Sequence, residues 1–334
     1  MSILIIAEAG VNHNGNLATA KEMIKIAAKS GADYVKFQSF KADKLAKPES
    51  ELANYQREPG NYRGSQLQLL KKLELSEKAH FELKRICKES DIKFLSTAFD
   101  IESADFLREM GQELFKIPSG EITNLPYLRH VGAYNKEIIL STGASNFREI
   151  EEALFELTKA GTKLEKITVL HCTSAYPAIM SEVNLRAMQK ISKEFSVKVG
   201  YSDHTIGIEV GIAAAALGAK VIEKHFTLDR NMKGPDHKSS LEPIELIQMI
   251  KSIRNIEIAL GNGVKVPTAG ELENIKVIRK SIVTKSFVKQ GEMFTSSNLT
   301  CKRPAGGLSP MKWDLVIGQI ANRDYSPNEE VQID

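Results

Sequence analysis

Tyr201-Ser202-Asp203-His204-Thr205 and Glu223-Lys224-His225-Phe226-Thr227 each set a histidine where a short apolar run gives out, with the helix-like stretch Ile208–Leu217 between them. Apolar run, helix, apolar run is the order of a βαβ unit, whose two strands lie parallel. A spacing of 21 residues then brings the two imidazoles side by side at the carboxyl ends of neighbouring strands. Barrel enzymes keep their chemistry at that end. A pair of neutral imidazoles there is a candidate divalent-metal site. Either histidine alone reads more readily as a hydrogen-bonding cap on its strand than as a metal ligand. The pairing carries the reading.

The same rhythm runs in both directions. Strands are expected over Ile3–Glu8, Tyr34–Gln38, Lys93–Ala98, Leu114–Ile117, Glu137–Ser141, Ile167–Cys172, Val197–Tyr201 and Val221–His225. Helices are expected over Leu17–Lys29, Glu77–Ser90, Ile101–Met110, Phe147–Ala160, Leu185–Phe195, Ile208–Leu217 and Pro243–Leu260. Gly31, Gly111, Gly161 and Gly218 follow helices and read as stop signals, since glycine accepts the left-handed conformation that ends a helix. Eight strands that are apolar on both faces indicate a (β/α)8 TIM barrel, with a doubly wound open sheet as the competing architecture. The barrel is assigned to residues 1–262. Residues 263–278 read as a linker, and 279–334 as a small β-rich domain with runs at Ser281–Ser286, Met293–Phe294, Leu299–Arg303 and Val316–Ile320. One stretch breaks the repeat. Phe40–Leu75 is too long for a βα connection and reads either as a lid packed over the barrel mouth or as a surface excursion.

Composition excludes several classes. Forty-five basic and 42 acidic residues give a net charge of +3, and the longest basic cluster is Lys71-Lys72, so neither nucleic acid nor a membrane surface is an expected partner. No apolar run reaches the ~18 residues of a membrane span. Three scattered cysteines (Cys87, Cys172, Cys301) and an opening directly on Ile3-Leu4-Ile5-Ile6 point to a reducing, cytoplasmic setting.

Each strand end is polar. The first gives Glu8, then Asn12-His13-Asn14-Gly15; the second gives Lys36 and Gln38, two apart and so on one face. Ser96 and Thr97 follow, then Lys116, Ser119, Gly120 and Glu121, then Ser141-Thr142-Gly143 and His171-Cys172-Thr173-Ser174. Two lysines, several hydroxyls and the Ser119-Gly120 turn suit a phosphate or carboxylate. Lys116 is also a candidate Schiff-base lysine. Glu8, Glu121 and Asp236 are candidates for binding sugar hydroxyls or moving protons, although each alone reads more readily as a salt-bridge partner.

At these positions the chain resembles the N-acetylneuraminate (sialic acid) synthase family, the bacterial nonulosonate synthases. The resemblance spans Ala7–Gly15, Val35-Lys36-Phe37-Gln38, Phe115–Glu121, Ser202-Asp203-His204, Glu223–Thr227 and Gly234-Pro235-Asp236-His237, in the family's order. Lys302–Pro310 is similar to the antifreeze-like (SAF) domain of those enzymes. The resemblance implies condensation of phosphoenolpyruvate with the open-chain aldehyde of an N-acetylmannosamine-type sugar, consuming water and giving phosphate and a nine-carbon α-keto acid. It implies that Lys36, Thr97, Lys116, Ser119, Ser174 and Ser202 hold phosphoenolpyruvate. Glu8, Gln38, Glu121, Tyr176 and Asp236 are implied to serve the sugar and proton handling. His204 and His225 are implied to hold a divalent cation, Mn2+ ahead of Mg2+ or Co2+. It further implies a domain-swapped homodimer in which Arg303 of one subunit's tail reaches the sugar's acyl-amino group in the other. The Gly234-Pro235-Asp236 and Asn12–Gly15 motifs resemble sialate and legionaminate synthases more than the pseudaminate type. Between those two the residues leave the choice open, with Glu8-Ala9-Gly10-Val11 leaning towards legionaminate.

Overall fold

Eight apolar runs become eight parallel strands: β1 Leu4–Gly10, β2 Tyr34–Ser39, β3 Lys93–Ala98, β4 Leu114–Ile117, β5 Glu137–Ser141, β6 Ile167–Cys172, β7 Lys198–Asp203 and β8 Val221–His225. They are taken from a computed structural model that describes residues 2–52 and 64–333. Each strand pairs with the next, and β1 also pairs with β8, so the sheet closes. The open-sheet alternative falls. Alternation along each strand sorts side chains into two sets. Ile6, Leu95, Ile139, Leu170 and Val221 point inward and plug the barrel's waist, with Leu4, Tyr34 and Leu114 beneath them. The other set, including Ile5, Ala7, Val35, Phe37, Leu140 and Val169, packs outward against helical residues such as Met23, Leu83, Leu107, Leu157 and Ile250. Burying each such aliphatic side chain contributes about 1.5–3 kcal/mol.

The helices start and stop where side-chain chemistry dictates. Asn16 accepts from the Ala18 and Thr19 amides to start Leu17–Lys29, and Asn146 with Glu149 forms a reciprocal cap on Phe147–Ala160. Pro243 occupies the first turn of Pro243–Leu260. Gly31, Gly111, Gly161 and Gly218 all adopt positive φ after their helices. A helix over Leu125–Gly132, capped by Asn124, was not expected from the sequence. It is only eight residues long and has Pro126 in its first turn, so the buried face of Tyr127, Leu128 and Val131 gives a weak periodic signal.

The chain forms two compact units, Met1–Gly261 and Asn262–Asp334. In the second, a Thr268-capped helix Ala269–Ile278 occupies most of the stretch read as a linker. β9 Ser281–Thr284 pairs antiparallel with β10 Leu299–Lys302 over a core of Ile282, Val288, Phe294, Leu299, Val316, Ala321, Tyr325 and Val331. Val316–Ile320 does not form the expected strand. Pro310 and the Ser309 cap start a turn that runs into the helix Trp313–Val316, and of that run Ile320 alone bridges to Met293. Among the described residues no helix is long and apolar enough to cross a membrane.

Candidate active site

Two residues above the waist plug, the inward positions change from aliphatic to charged. Glu8, Lys36, Thr97, Lys116, Ser202 and Glu223 come from β1, β2, β3, β4, β7 and β8, at adjacent register positions: Glu8 beside Lys36, Thr97 beside Lys116, Ser202 beside Glu223. All six are buried. Lys36 Nζ lies 2.5 Å from a Glu8 oxygen and 3.5 Å from Glu223, and donates to Thr97 Oγ1 at 2.9 Å. Lys116 Nζ donates to Glu223 Oε1 at 3.0 Å, and Ser202 Oγ donates to the same oxygen at 2.8 Å. Burial pushes Glu8 up to about 7 against the pull of Lys36. Burial would also raise Glu223, but Lys116 and Lys36 overcome it and hold that carboxyl below its ordinary range. Burial lowers Lys116, with Glu223 opposing. One carboxylate is thus firmly ionised between two ammonium groups, while the other sits where it can exchange a proton near neutrality.

Beyond this floor stand the imidazoles. His225 ends β8 and His204 follows β7, with ring centroids 5.7 Å apart. Burial drives both below the ordinary histidine range, so both rings are neutral near pH 7. His204 Nδ1 faces the Thr173 carbonyl oxygen at 2.7 Å and must carry the proton there, leaving a lone pair on Nε2. His225 Nδ1 is buried without a hydrogen-bond partner. Two neutral rings with free lone pairs fit a divalent ion. Among the described residues no group of three or more His, Cys, Asp or Glu is gathered, so the two imidazoles are the residues that would hold such an ion.

A cavity of about 480 Å3 opens over these groups. It is lined by the thirteen barrel residues to which the family resemblance gave a role: Glu8, Lys36, Gln38, Thr97, Lys116, Ser119, Glu121, Ser174, Tyr176, Ser202, His204, His225 and Asp236. Tyr176 lies against His204, ring centroids 4.3 Å apart. Asp236 Oδ2 is 4.0 Å from His225 Nδ1, and burial raises its carboxyl to about 6. Burial also raises Glu121, which accepts from Asn124 at 2.5 Å. Gly143 donates its amide to Ser119 Oγ at 2.9 Å. A β-carbon on Gly143 would stand 2.0 Å from Ser174 Oγ and 2.9 Å from Ser119 Oγ, so any larger residue there would have to displace these hydroxyls. Arg303 is exposed in the second unit and is not among the lining residues.

Several strand-end residues read as facing the mouth do not. Asn12, His13 and Asn14 form a clasp: Asn12 Nδ2 donates to the Phe226 carbonyl and to Ser240 Oγ, and Asn14 meets His237 at 3.2 Å. Ser96 and His171 face outward, to Ser39 and to the Val183 carbonyl respectively. Strand alternation explains both, since Thr97 and Cys172 next to them point inward. Glu223 was overlooked as a site residue, although its i, i+2 relation to His225 places it on the same face. The apolar lining from Leu45, Leu69, Leu70 and Leu73, with Gln66 beside it, was also missed, and it belongs to the long β2–β3 excursion. That excursion therefore covers part of the mouth. Its residues 53–63, with Pro59 and Gly60, lie outside those described.

A closed parallel barrel carrying two buried ammonium groups, a poised carboxylate and paired neutral imidazoles at its strand ends defines a barrel enzyme for an anionic substrate. Residues 23–265 match the NeuB family and 279–332 match the SAF domain. The chain belongs to the NeuB family, the one its motifs resemble. It is 55% identical over 98% of both chains to N,N'-diacetyllegionaminic acid synthase of Campylobacter jejuni. It is 44% identical to the synthase of the same name from Legionella pneumophila, over 98% of this chain and 92% of the relative. A crystal structure of N-acetylneuraminic acid synthetase from Leptospira borgpetersenii, in complex with citrate, superposes with a TM-score of 0.72 at 35% identity, covering 82% of this chain and 90% of that one.

Proposed function

We propose that this enzyme condenses phosphoenolpyruvate with the open-chain form of an N-acylated mannosamine-type sugar, as an N,N'-diacetyllegionaminate synthase. The observation that carries the reaction is the buried Lys36–Glu223–Lys116 array beneath two neutral imidazoles. The higher identity to the two synthases of that name, 55% and 44% against 35% for the N-acetylneuraminic acid synthetase, supports the substrate.

Lys36 and Lys116 balance the charge of phosphoenolpyruvate, and Thr97, Ser119, Ser174 and Ser202 donate to its oxygens. Glu121, Gln38, Tyr176 and Asp236 orient the sugar hydroxyls and amide. Carbon 3 of phosphoenolpyruvate attacks the aldehyde carbon, forming the new C–C bond; the C=O π pair passes to the aldehyde oxygen, which takes up a proton to become a hydroxyl, and cationic character is left at carbon 2. Glu8, poised near neutrality, takes a proton from the water that adds at carbon 2. The tetrahedral species then loses phosphate by C–O cleavage and becomes the keto acid. A divalent ion held by His204 and His225, Mn2+ ahead of Mg2+ or Co2+, would supply Lewis-acid polarisation of the aldehyde oxygen.

We further propose a homodimer in which the tail unit of one subunit covers the other's barrel mouth and Arg303 meets the sugar's acyl-amino group. Exposed Ile179, Met180 and Ile206, on the loops after β6 and β7, support such a cover.

Incubation with phosphoenolpyruvate and each of N-acetylmannosamine and its 6-deoxy-diacetamido analogue, followed by mass spectrometry and phosphate assay, tests the reading. Phosphate and a nine-carbon keto acid are expected, with pyruvate unable to replace phosphoenolpyruvate. Borohydride trapping of pyruvate on Lys116 would establish a Schiff-base aldolase instead.

A further inference from the structure

The cavity's floor and its outer wall differ in chemistry. The floor is ionic; the wall is Leu45 together with Leu69, Leu70 and Leu73. With Gln66, the last three stand at i, i+3, i+4 and i+7 of the helix Gln66–Leu73, so one face of that helix is turned to the cavity. Leu73 packs with Val11 and Phe40, while Leu45, Leu69 and Leu70 are only half-buried over them.

The helix is held in place on several sides. Ser65 and Gln68 cap it reciprocally, Lys71 pairs with Asp43 at 2.8 Å, and Glu74 accepts from the Ala42 amide at 2.9 Å. Towards the barrel, the Lys72 carbonyl oxygen lies 2.2 Å from where a β-carbon on Gly15 would stand. Gly15 also has φ +74°, so glycine alone lets the helix sit this close to the loop after β1.

A packed core would bury these leucines fully, and a face left to solvent would favour polar residues. Half-buried leucines lining a substrate cavity ask for an apolar ligand surface. N-acetylmannosamine carries a hydroxymethyl group at its far end, and a hydroxyl pressed on the leucine side chains would lose water without gaining a partner from them. A methyl group would bury favourably there.

We propose that the leucine face of Gln66–Leu73, with Leu45, is the specificity element of the site, taking the apolar end of an acylated 6-deoxy amino sugar. It receives the methyl that replaces the hydroxymethyl group and the methyl of a second acetamido group. This assignment rests on the condensation reaction proposed above and adds the residues that choose among its sugars.

The test compares kcat/KM for the two sugars, by phosphate release, in the wild type, Leu69→Asn, Leu70→Asn and the volume-conserving Leu69→Met. KM for phosphoenolpyruvate and the melting temperature are measured alongside. The wild type is expected to favour the 6-deoxy-diacetamido sugar by about 10- to 100-fold. Each Asn variant should cut that ratio about tenfold or more, with KM for phosphoenolpyruvate within about twofold of wild type, and Leu69→Met should keep the ratio. If an Asn variant does not fold, Leu69→Ala and Leu70→Ala carry the same comparison. Equal wild-type rates on the two sugars, an unchanged ratio, or equal losses on both sugars would overturn the assignment while leaving the reaction standing. Wild-type protein that releases no phosphate with either sugar would overturn the reaction, and this assignment with it.

Discussion

Strands β7 and β8 carry two buried ionic systems, one on each face, and they are built to opposite ends. On the outer face, Lys224 Nζ donates to Asp203 Oδ2 at 2.8 Å and to the Thr205 carbonyl at 2.5 Å, while Asp203 Oδ1 accepts from the Thr205 amide and hydroxyl. Both charged side chains are wholly shielded from solvent. On the inner face, Ser202, Glu223 and His225 join Lys36 and Lys116 in an array that stays open: Glu8 Oε1 and His225 Nδ1 are buried without hydrogen-bond partners. Residues one position apart in sequence thus divide between a satisfied lock and an unfinished site. A buried polar atom without a protein partner costs stability, and at a cavity it is placed to bond a polar group that binds there.

The strongest way to break that contrast is at the imidazoles. His225→Ala or His204→Ala should reduce phosphate release roughly a thousandfold or more while leaving the circular-dichroism melt near wild type, and a chelator should do the same to the unaltered protein, reversibly with Mn2+. Full activity after chelation would remove the metal from the account. The outer lock should respond in the opposite sense. Lys224→Met strands Asp203 in the interior and should cost about 3–5 kcal/mol in urea unfolding, with KM values in the cold unchanged.

The clasp offers an intermediate case. Burial lowers His13 and His237 to about 4, so both fold as neutral rings. Their unfolded forms protonate near 6.5, so the stabilisation is fully present above that value and is lost as pH falls towards 4. For His13 the loss should be about 3 kcal/mol, and His13→Asn should flatten the acid limb of a stability–pH curve. A wild-type curve already flat between those values would place the proton elsewhere.

Smaller effects sharpen the inner array. Lys116→Met should lower kcat/KM for phosphoenolpyruvate by about 10- to 100-fold with little change in melting temperature, since Glu223 keeps Lys36 and Ser202. Arg303→Ala should raise KM for the sugar about tenfold and be rescued in mixed dimers with a barrel-inactive subunit. No rescue would confine each tail to its own chain.

Much of the barrel was legible because its signal is local. Alternating apolar runs and capped helices report their own positions, and β3, β4, β5, β6 and β8 fall at the expected boundaries. The mouth was legible where a strand end carries an unusual residue, as at Lys36, Lys116 and the two histidines. It was not legible where facing decides. Ser96 beside Thr97, or Asp203 beside Ser202, differ only in the side of the strand they occupy. Glu223 was hidden inside a motif whose histidine drew the assignment, and the Leu69–Leu70–Leu73 face reads in sequence as any amphipathic helix.

The amino-acid order by itself determined the strand count, the parallel topology and the loading of one barrel end with ionisable groups, because periodicity and helix caps act over a few residues. Only the tertiary structure decided which of those groups meet. Barrel closure sets Glu8 of β1 beside His225 of β8, 217 positions apart in the chain. Their separation from water, and with it their altered affinity for protons, belongs to neither residue alone.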